Sequence, residues 1–361
     1  MLPTPAEQGF SMPAEWERHK ATWLGWPLNP EDWPGKFVPI RWVYGEIVRS
    51  ITRLGGEAVH IVVDGGRHEE QARSVLTKAG VDLAKVEFFQ CRMNRGWMRD
   101  CMPAFVQRSL INTSGEMMTE TAAIKFTFNG WAKYDNWQFD NALANRLSPH
   151  VGWQIIEAKL GKRQMALEGG GIDVNGRGTL LTTEECYLDP EIQVRNPGLS
   201  KAEFERGLKE YLGVTNILWL GKGIAGDDTH GHVDDLCRFV NPTTVVLVQE
   251  KNAKDENYRA LQENRERLQG MRLEDGKNIN VVELPMPQAL TFDGMRLPAS
   301  YANFYISNGA VLMPTFNDPN DRIALGILSE LFTDRPVVGI HAVDLVWGLG
   351  TLHCLTHEEP A

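Results

Sequence analysis

Residues 39–64 read PIRWVYGEIVRSITRLGGEAVHIVVD. In the first part Ile40, Val43, Ile47, Ile51 and Leu54 recur at three- and four-residue spacing, which predicts a helix with one apolar face. After Gly55-Gly56, the run EAVHIVVD predicts a strand that ends in a second glycine pair. A helix feeding a short buried strand is the start of an alternating α/β chain.

The same alternation continues outward. Apolar periodicity predicts helices over 68–79, 136–147, 254–269 and 321–332. Another begins at Ser200, where Glu203 completes a capping box for SKAEFERGLKEYLG. Strands are predicted at VEFFQC, AIKFTFN, TLLTTEE, NILWLG, TTVVLVQE, INVVELP, GAVLMPTF and PVVGIHA. No low-complexity linker divides them, so residues 1–361 read as a single domain.

Composition narrows the classes of function. The balance of 37 Lys+Arg against 47 Asp+Glu, with no basic cluster, argues against a nucleic-acid partner and favours a cationic small molecule. No apolar run approaches the ~20 residues of a membrane span, and MLPTPAEQGFSMPAEWERHK lacks the plan of a signal peptide, so a cytoplasmic location without membrane contact is expected. Cys91, Cys101, Cys186, Cys237 and Cys354 are odd in number and widely spaced, which suits neither a disulfide framework nor a structural zinc site.

Four stretches place reactive side chains beside glycine or within apolar sequence: GWMRDCMPAF at Asp100, ALEGGGIDV at Glu168, GDDTHGHVDDLCRF at His232 and Asp234, and GTLHC at Cys354. Each reads as a strand end turning into a loop. They are 68, 64 and 122 residues apart, and the last interval is two steps of 61. Five such steps fill the chain, as a supersecondary unit repeated around a central site would.

A thiol needs a base or a nearby cation to become a nucleophile, and His232, oriented by Glu168, can carry the proton. Asp100 and Asp234 would hinder a thiolate unless the substrate brings positive charge. A guanidinium does so, with forked N–H donors that carboxylates accept in pairs. Each residue taken singly also has a structural explanation, as a buried thiol, a local ion pair, a turn carboxylate or a core histidine. A second class reads from the same residues: His230, His232 and Asp234 have the HxHxD spacing of metal-dependent hydrolases, although Asp235 follows where such sites usually continue with histidine. The Gly169-Gly170-Gly171 run lacks the spacing of a dinucleotide fingerprint.

MPAEWERHKATWLGWP, GWMRD, LEGGGIDVNGRGTLLTTEECYL with RNPGLS, GDDTHGHVDDLCRFV, PASYANFYISNGAVLMPTFND and WGLGTLHCLT occur in this order and resemble the agmatine deiminase family, related to bacterial peptidylarginine deiminases. The resemblance implies a five-bladed α/β propeller with pseudo-fivefold symmetry, the pentein fold of guanidino-group-modifying enzymes. It also implies Cys354 as nucleophile, His232 as general acid/base supported by Glu168, Asp100 and Asp234 as guanidinium clamps, and Trp97 as a wall of the substrate channel. No metal or organic cofactor is implied. The expected reaction is deimination of agmatine to N-carbamoylputrescine and ammonia through a covalent thiouronium. Free or peptidyl arginine as substrate, amidino transfer and an inactive guanidine-binding protein are the alternatives, and a homo-oligomer is compatible with all of them.

The chain departs from the family pattern at Cys101-Met102, where a small hydroxyl residue and glycine are usual, at His341-Ala342-Val343-Asp344, and in the tail THEEP. Met102 is therefore expected to reshape the pocket beside Asp100. Residues Glu359 to Ala361 are expected to be dispensable.

Overall fold

A computed structural model describes residues 3–111 and 114–361. Helix Phe37–Leu54 buries Ile40, Tyr44, Ile47, Val48 and Ile51. Each such side chain contributes about 1.5–3 kcal/mol when fully withdrawn from water. Leu54, expected on that face, is 45% exposed at the last turn, and Tyr44 takes a core position instead. Strand Ala58–Val63 follows and pairs in parallel with His19–Gly25.

One arrangement recurs along the chain. Ala104–Ile111 pairs antiparallel with Met117–Lys125, which pairs in parallel with Ile155–Glu157 across a helical crossover. The same antiparallel-then-parallel order holds for Asp173–Val174, Thr179–Thr183 and Asn216–Leu220. It holds again for Cys237–Asn241, Thr244–Gln249 and Asn280–Pro285, and for Tyr305–Ile306, Val311–Thr315 and Val337–His341. The first sheet completes the pattern from both termini: Thr356–Pro360 pairs antiparallel with His19–Gly25, and Val86–Gln90 adds a further strand. The fold is mixed α/β, with helices bridging parallel strands as the alternation predicts.

Several boundaries differ from expectation for local reasons. The stretch 136–147 is two helices, Gln138–Asn141 and Leu143–Val151, because Asp140 is spent on the backbone N–H groups of Asn94 and Arg95 and Asn141 on that of Phe128. Glu184 and Glu185 leave the strand for helix Glu184–Leu188, since the Thr183 hydroxyl accepts from Cys186 N and caps it. The strand expected at AIKFTFN starts earlier, at Met117, and ends at Lys125. Helix Lys201–Leu212 carries the expected capping box of Ser200 and Glu203.

The tail, expected to be dispensable, is built into the first sheet and its surroundings. Glu359 is buried and accepts from Lys20, Trp23 and Trp153, while Ala361 N bonds Arg18 O. No described helix is long and apolar enough to cross a membrane.

Candidate active site

The four stretches do not end as open loops. Asp100 lies in the helical turn Met98–Cys101, Glu168 immediately precedes Gly169–Gly171, His232 immediately precedes Val233–Asp235, which contains Asp234, and Cys354 lies in Leu352–Leu355. Each turn directly precedes the first strand of an antiparallel pair, at Ala104, Asp173, Cys237 or Thr356. The corresponding position in the remaining unit, just before Tyr305, is held by Asn303. Its Nδ2 donates to the Cys354 sulfur at 3.1 Å, and its Oδ1 accepts from Thr351 and from His353 N. Asn303 therefore fills the step missing from the 122-residue interval.

The turns bring all the candidate residues together. His232 Nε2 is 2.8 Å from Glu168 Oε2, and its Nδ1 lies 3.9 Å from both Asp100 Oδ1 and Asp234 Oδ1. Asp234 Oδ2 is 3.6 Å from Cys354 Sγ and 2.7 Å from His353 Nδ1. Asp100 accepts from Trp131 Nε1 at 2.8 Å and from Gly170 N at 2.9 Å. Behind Glu168, Arg195 donates through Nε to both carboxylate oxygens at 3.1 and 3.2 Å. Within this cluster Asp234 Oδ1 is buried with no hydrogen-bond partner among the described residues. An uncompensated buried acceptor costs about 1–3 kcal/mol, which a cationic ligand would repay.

Burial sets the protonation of the cluster. It pushes the Cys354 thiol well above its ordinary range, and Asp234, Asp235 and Asp100 push the same way. Burial raises Asp100 to about 6 against the opposing field of His232. On Glu168 burial is outweighed by Arg195 and then His232, so this carboxylate is held low. Burial alone would lower His232, but Asp100, the Cys186 side chain and the bond to Glu168 keep it well above the usual imidazole value. These directions favour a thiol beside an imidazolium in the free site.

Above it opens a cavity of about 320 Å³ that reaches Cys354 and Asp100 and is walled by Trp97, Trp131, Phe292 and Trp347. Trp97 donates to Asp32 Oδ2 at 3.4 Å and leans on Trp33 with ring centroids 5.5 Å apart. Met102 and Cys101 pack into the apolar core and do not line the cavity, so the expected reshaping by Met102 does not occur. His341 to Asp344 also stay outside it, with Asp344 paired to Lys36 at 2.8 Å.

The HxHxD reading fails geometrically. His230 has φ 61° and bonds Asp189 through Nε2 at 3.0 Å, and it joins neither of the groups of potential metal ligands found among the described residues, Glu168/Cys186/His232 and Asp234/Asp235/Cys354.

Sequence reasoning missed Asn303, His353, Arg195, Gly170 and Trp131 as members of this site. All but Trp131 lie in the stretches singled out above, so their motifs were visible while their individual roles were not.

Comparison with known proteins identifies the family. Residues 11–360 match the sequence profile of the Porphyromonas-type peptidyl-arginine deiminases. An agmatine deiminase of Pseudomonas aeruginosa (strain LESB58) is 33% identical over 99% of this chain and 97% of its own length, and one of Medicago truncatula 34% over 99% and 98%. The solved agmatine deiminase of Enterococcus faecalis matches with a TM-score of 0.87 at 31% identity, covering 99% of this chain and 98% of that one. The chain belongs to the Porphyromonas-type peptidyl-arginine deiminase family.

Proposed function

We propose that this chain is a hydrolase of the C–N bonds of linear amidines that converts agmatine to N-carbamoylputrescine and ammonia. The observation that carries the reading is the partnerless Asp234 Oδ1, buried beside a thiol, an imidazolium and a second carboxylate. We further read the five repeated units as blades of a propeller in one catalytic domain, each sending one turn to the axis.

In this mechanism a flat guanidinium enters past Asp100 and Cys354 and is held by Asp100 and Asp234. Its charge lowers the thiol pKa, and the thiol proton leaves to solvent. The thiolate forms the S–C bond, and His232 gives its proton to the departing nitrogen. The C–N bond breaks and ammonia leaves a thiouronium. Neutral His232 then takes a proton from water, whose oxygen attacks the same carbon. Collapse breaks the S–C bond and releases the ureido product and the thiolate, which is reprotonated. Glu168, fixed by Arg195, keeps the imidazole ring oriented throughout.

A panel of agmatine, arginine, a peptidyl arginine and other guanidines, assayed for ammonia and ureido product, tests the reading. Agmatine should be preferred, with water rather than an added amine as acceptor. Turnover of peptidyl arginine alone, or no turnover of any guanidine, would overturn it.

Two further outcomes are expected. The exposed Glu31 lines the cavity and has no ion pair among the described residues, so it is free to meet the ammonium end of agmatine. Arg95, a cation of the same cavity, is paired with Asp32 at 2.7 Å and stacked on Tyr134, and is not free for a substrate carboxylate. Glu31→Gln should raise KM for agmatine about 2- to 5-fold with kcat nearly unchanged, the size of an exposed charge contact.

The second concerns pH. Asp100, raised to about 6, is protonated below that pH and ionised by a bound guanidinium. Agmatine affinity for the Cys354→Ser protein should therefore weaken as pH falls through 6 and level off above it. Calorimetry in buffers of different ionisation enthalpy should find roughly half a proton released per site at pH 6. For the free protein the sign is opposite: a carboxyl whose folded pKa is raised stabilises the fold below about 4, and that contribution is lost as the pH rises through about 6.

A further inference from the structure

Glu15 lies in the segment before strand His19–Gly25, far in sequence from every reacting group, yet it is buried at the centre of a charged network. Its Oε1 accepts from Ile306 N at 2.7 Å. Its Oε2 meets Arg238 at 2.9 Å, Arg99 at 3.3 Å and His353 Nε2 at 2.6 Å. The other nitrogen of the same ring is 2.7 Å from Asp234 Oδ2, the oxygen that also lies 3.6 Å from the Cys354 sulfur. Glu15, His353 and Asp234 thus form a chain parallel to Arg195, Glu168 and His232, and both chains end at the clamp.

We propose that Glu15 is a positioning residue for the guanidinium clamp: through His353 it fixes one oxygen of Asp234 and thereby aims the other, partnerless oxygen at the substrate. This role rests on the function proposed above. The contrast with Asp100 supports it. Asp100 spends both oxygens on neutral donors, Trp131 and Gly170, whereas Asp234 spends one on a ring that is itself held by a carboxylate. A charge-assisted bond is about twice as strong as a neutral one and favours the ionised acceptor. The groups facing Asp234 are His353, His232, Asp100, Cys354, Asp235 and Arg238, and those facing Glu15 are Arg99, Arg238, His353, His19, Asp173, Tyr305 and Glu358. Of these, His353 alone is hydrogen-bonded to both carboxylates.

The test measures agmatine binding against pH in Cys354→Ser protein, where no turnover intervenes, with Glu15→Gln, His353→Gln and both together added to it. Glu15→Gln should weaken binding at least 10-fold at pH 8, where both clamps are ionised, and leave in place the midpoint near 6 that belongs to Asp100. The effects of Glu15→Gln and His353→Gln should not add, since both break the same link. Asp173→Asn, which alters another carboxylate on Arg238 without a hydrogen bond to His353, should bind agmatine as the Cys354→Ser reference does at pH 8. Should Glu15→Gln fail to fold, His353→Gln alone carries the test, with the same loss of affinity at pH 8 expected. Undiminished affinity at pH 8 in the folded variants, or additive effects, would overturn the role of Glu15. Absence of agmatine binding in the Cys354→Ser reference would instead overturn the functional reading, and this role with it.

Discussion

Cys354→Ser is expected to lose turnover by about 10⁵-fold or more while keeping its fold and its affinity for agmatine. The thiol is buried, 3.6 Å from a carboxylate, and its pKa is pushed well above the ordinary value by burial first and then by Asp234, Asp235 and Asp100. A bound guanidinium cancels those carboxylates, which is sufficient to ionise a thiol and far from sufficient to ionise a serine hydroxyl. The raised thiol pKa has a second consequence in the unsubstituted protein. A neutral alkylating reagent should modify Cys354 with an apparent pKa above the ~8.5 of a free cysteine. A cationic amidine reagent should label it much faster at pH 7, and agmatine should protect. An apparent pKa below 7 without substrate would mean that a thiolate–imidazolium pair with His232 is preformed, and the substrate-assisted step would be wrong.

Gly170→Ala is expected to reduce kcat/KM by about 10²- to 10³-fold, more than its one added methyl suggests. A Cβ at this position would lie 2.5 Å from His232 Nδ1 and 3.0 Å from both Asp100 Oδ1 and Asp234 Oδ2. It would occupy the space between the proton carrier and the two clamps. The backbone there is not left-handed, so the requirement for glycine is steric rather than conformational. Displacing catalytic groups by about 1 Å is enough to cost two orders of magnitude. Thermal unfolding and circular dichroism should stay close to those of the unsubstituted protein, while agmatine no longer raises the melting temperature. Near-normal kinetics in this variant would show that the cluster relaxes freely and that its geometry is not what the chemistry depends on.

The tail shows how local reading misleads. THEEP looks like a polar end, but Glu359 sits among Lys20, Trp23 and Trp153, and Glu358 pairs with Arg99 at 2.8 Å. Partners more than 200 residues away leave no local signature. Met102 misleads in the opposite direction: its position beside Asp100 in sequence suggests a pocket residue, whereas the turn Met98–Cys101 sends it into the core.

By itself the sequence determined the elements and the inventory of the site. Apolar period is a local property, so helix Phe37–Leu54, the Ser200 cap and the alternation of strands with helices were legible, and so were Asp100, Glu168, His232, Asp234 and Cys354 within their glycine-rich or apolar stretches. Tertiary structure alone decided which atoms meet. Asn303 reaches the sulfur and Glu15 reaches Asp234 through His353 because the repeated units pack their turns together, and contacts across such intervals depend on how sheets and helices stack. It also decided the charges. A thiol, a carboxyl and an imidazole have ordinary pKa values in an extended chain; in the fold burial pushes Cys354 upward, while neighbouring carboxylates hold His232 up and His353 holds Asp234 ionised, both against their own burial.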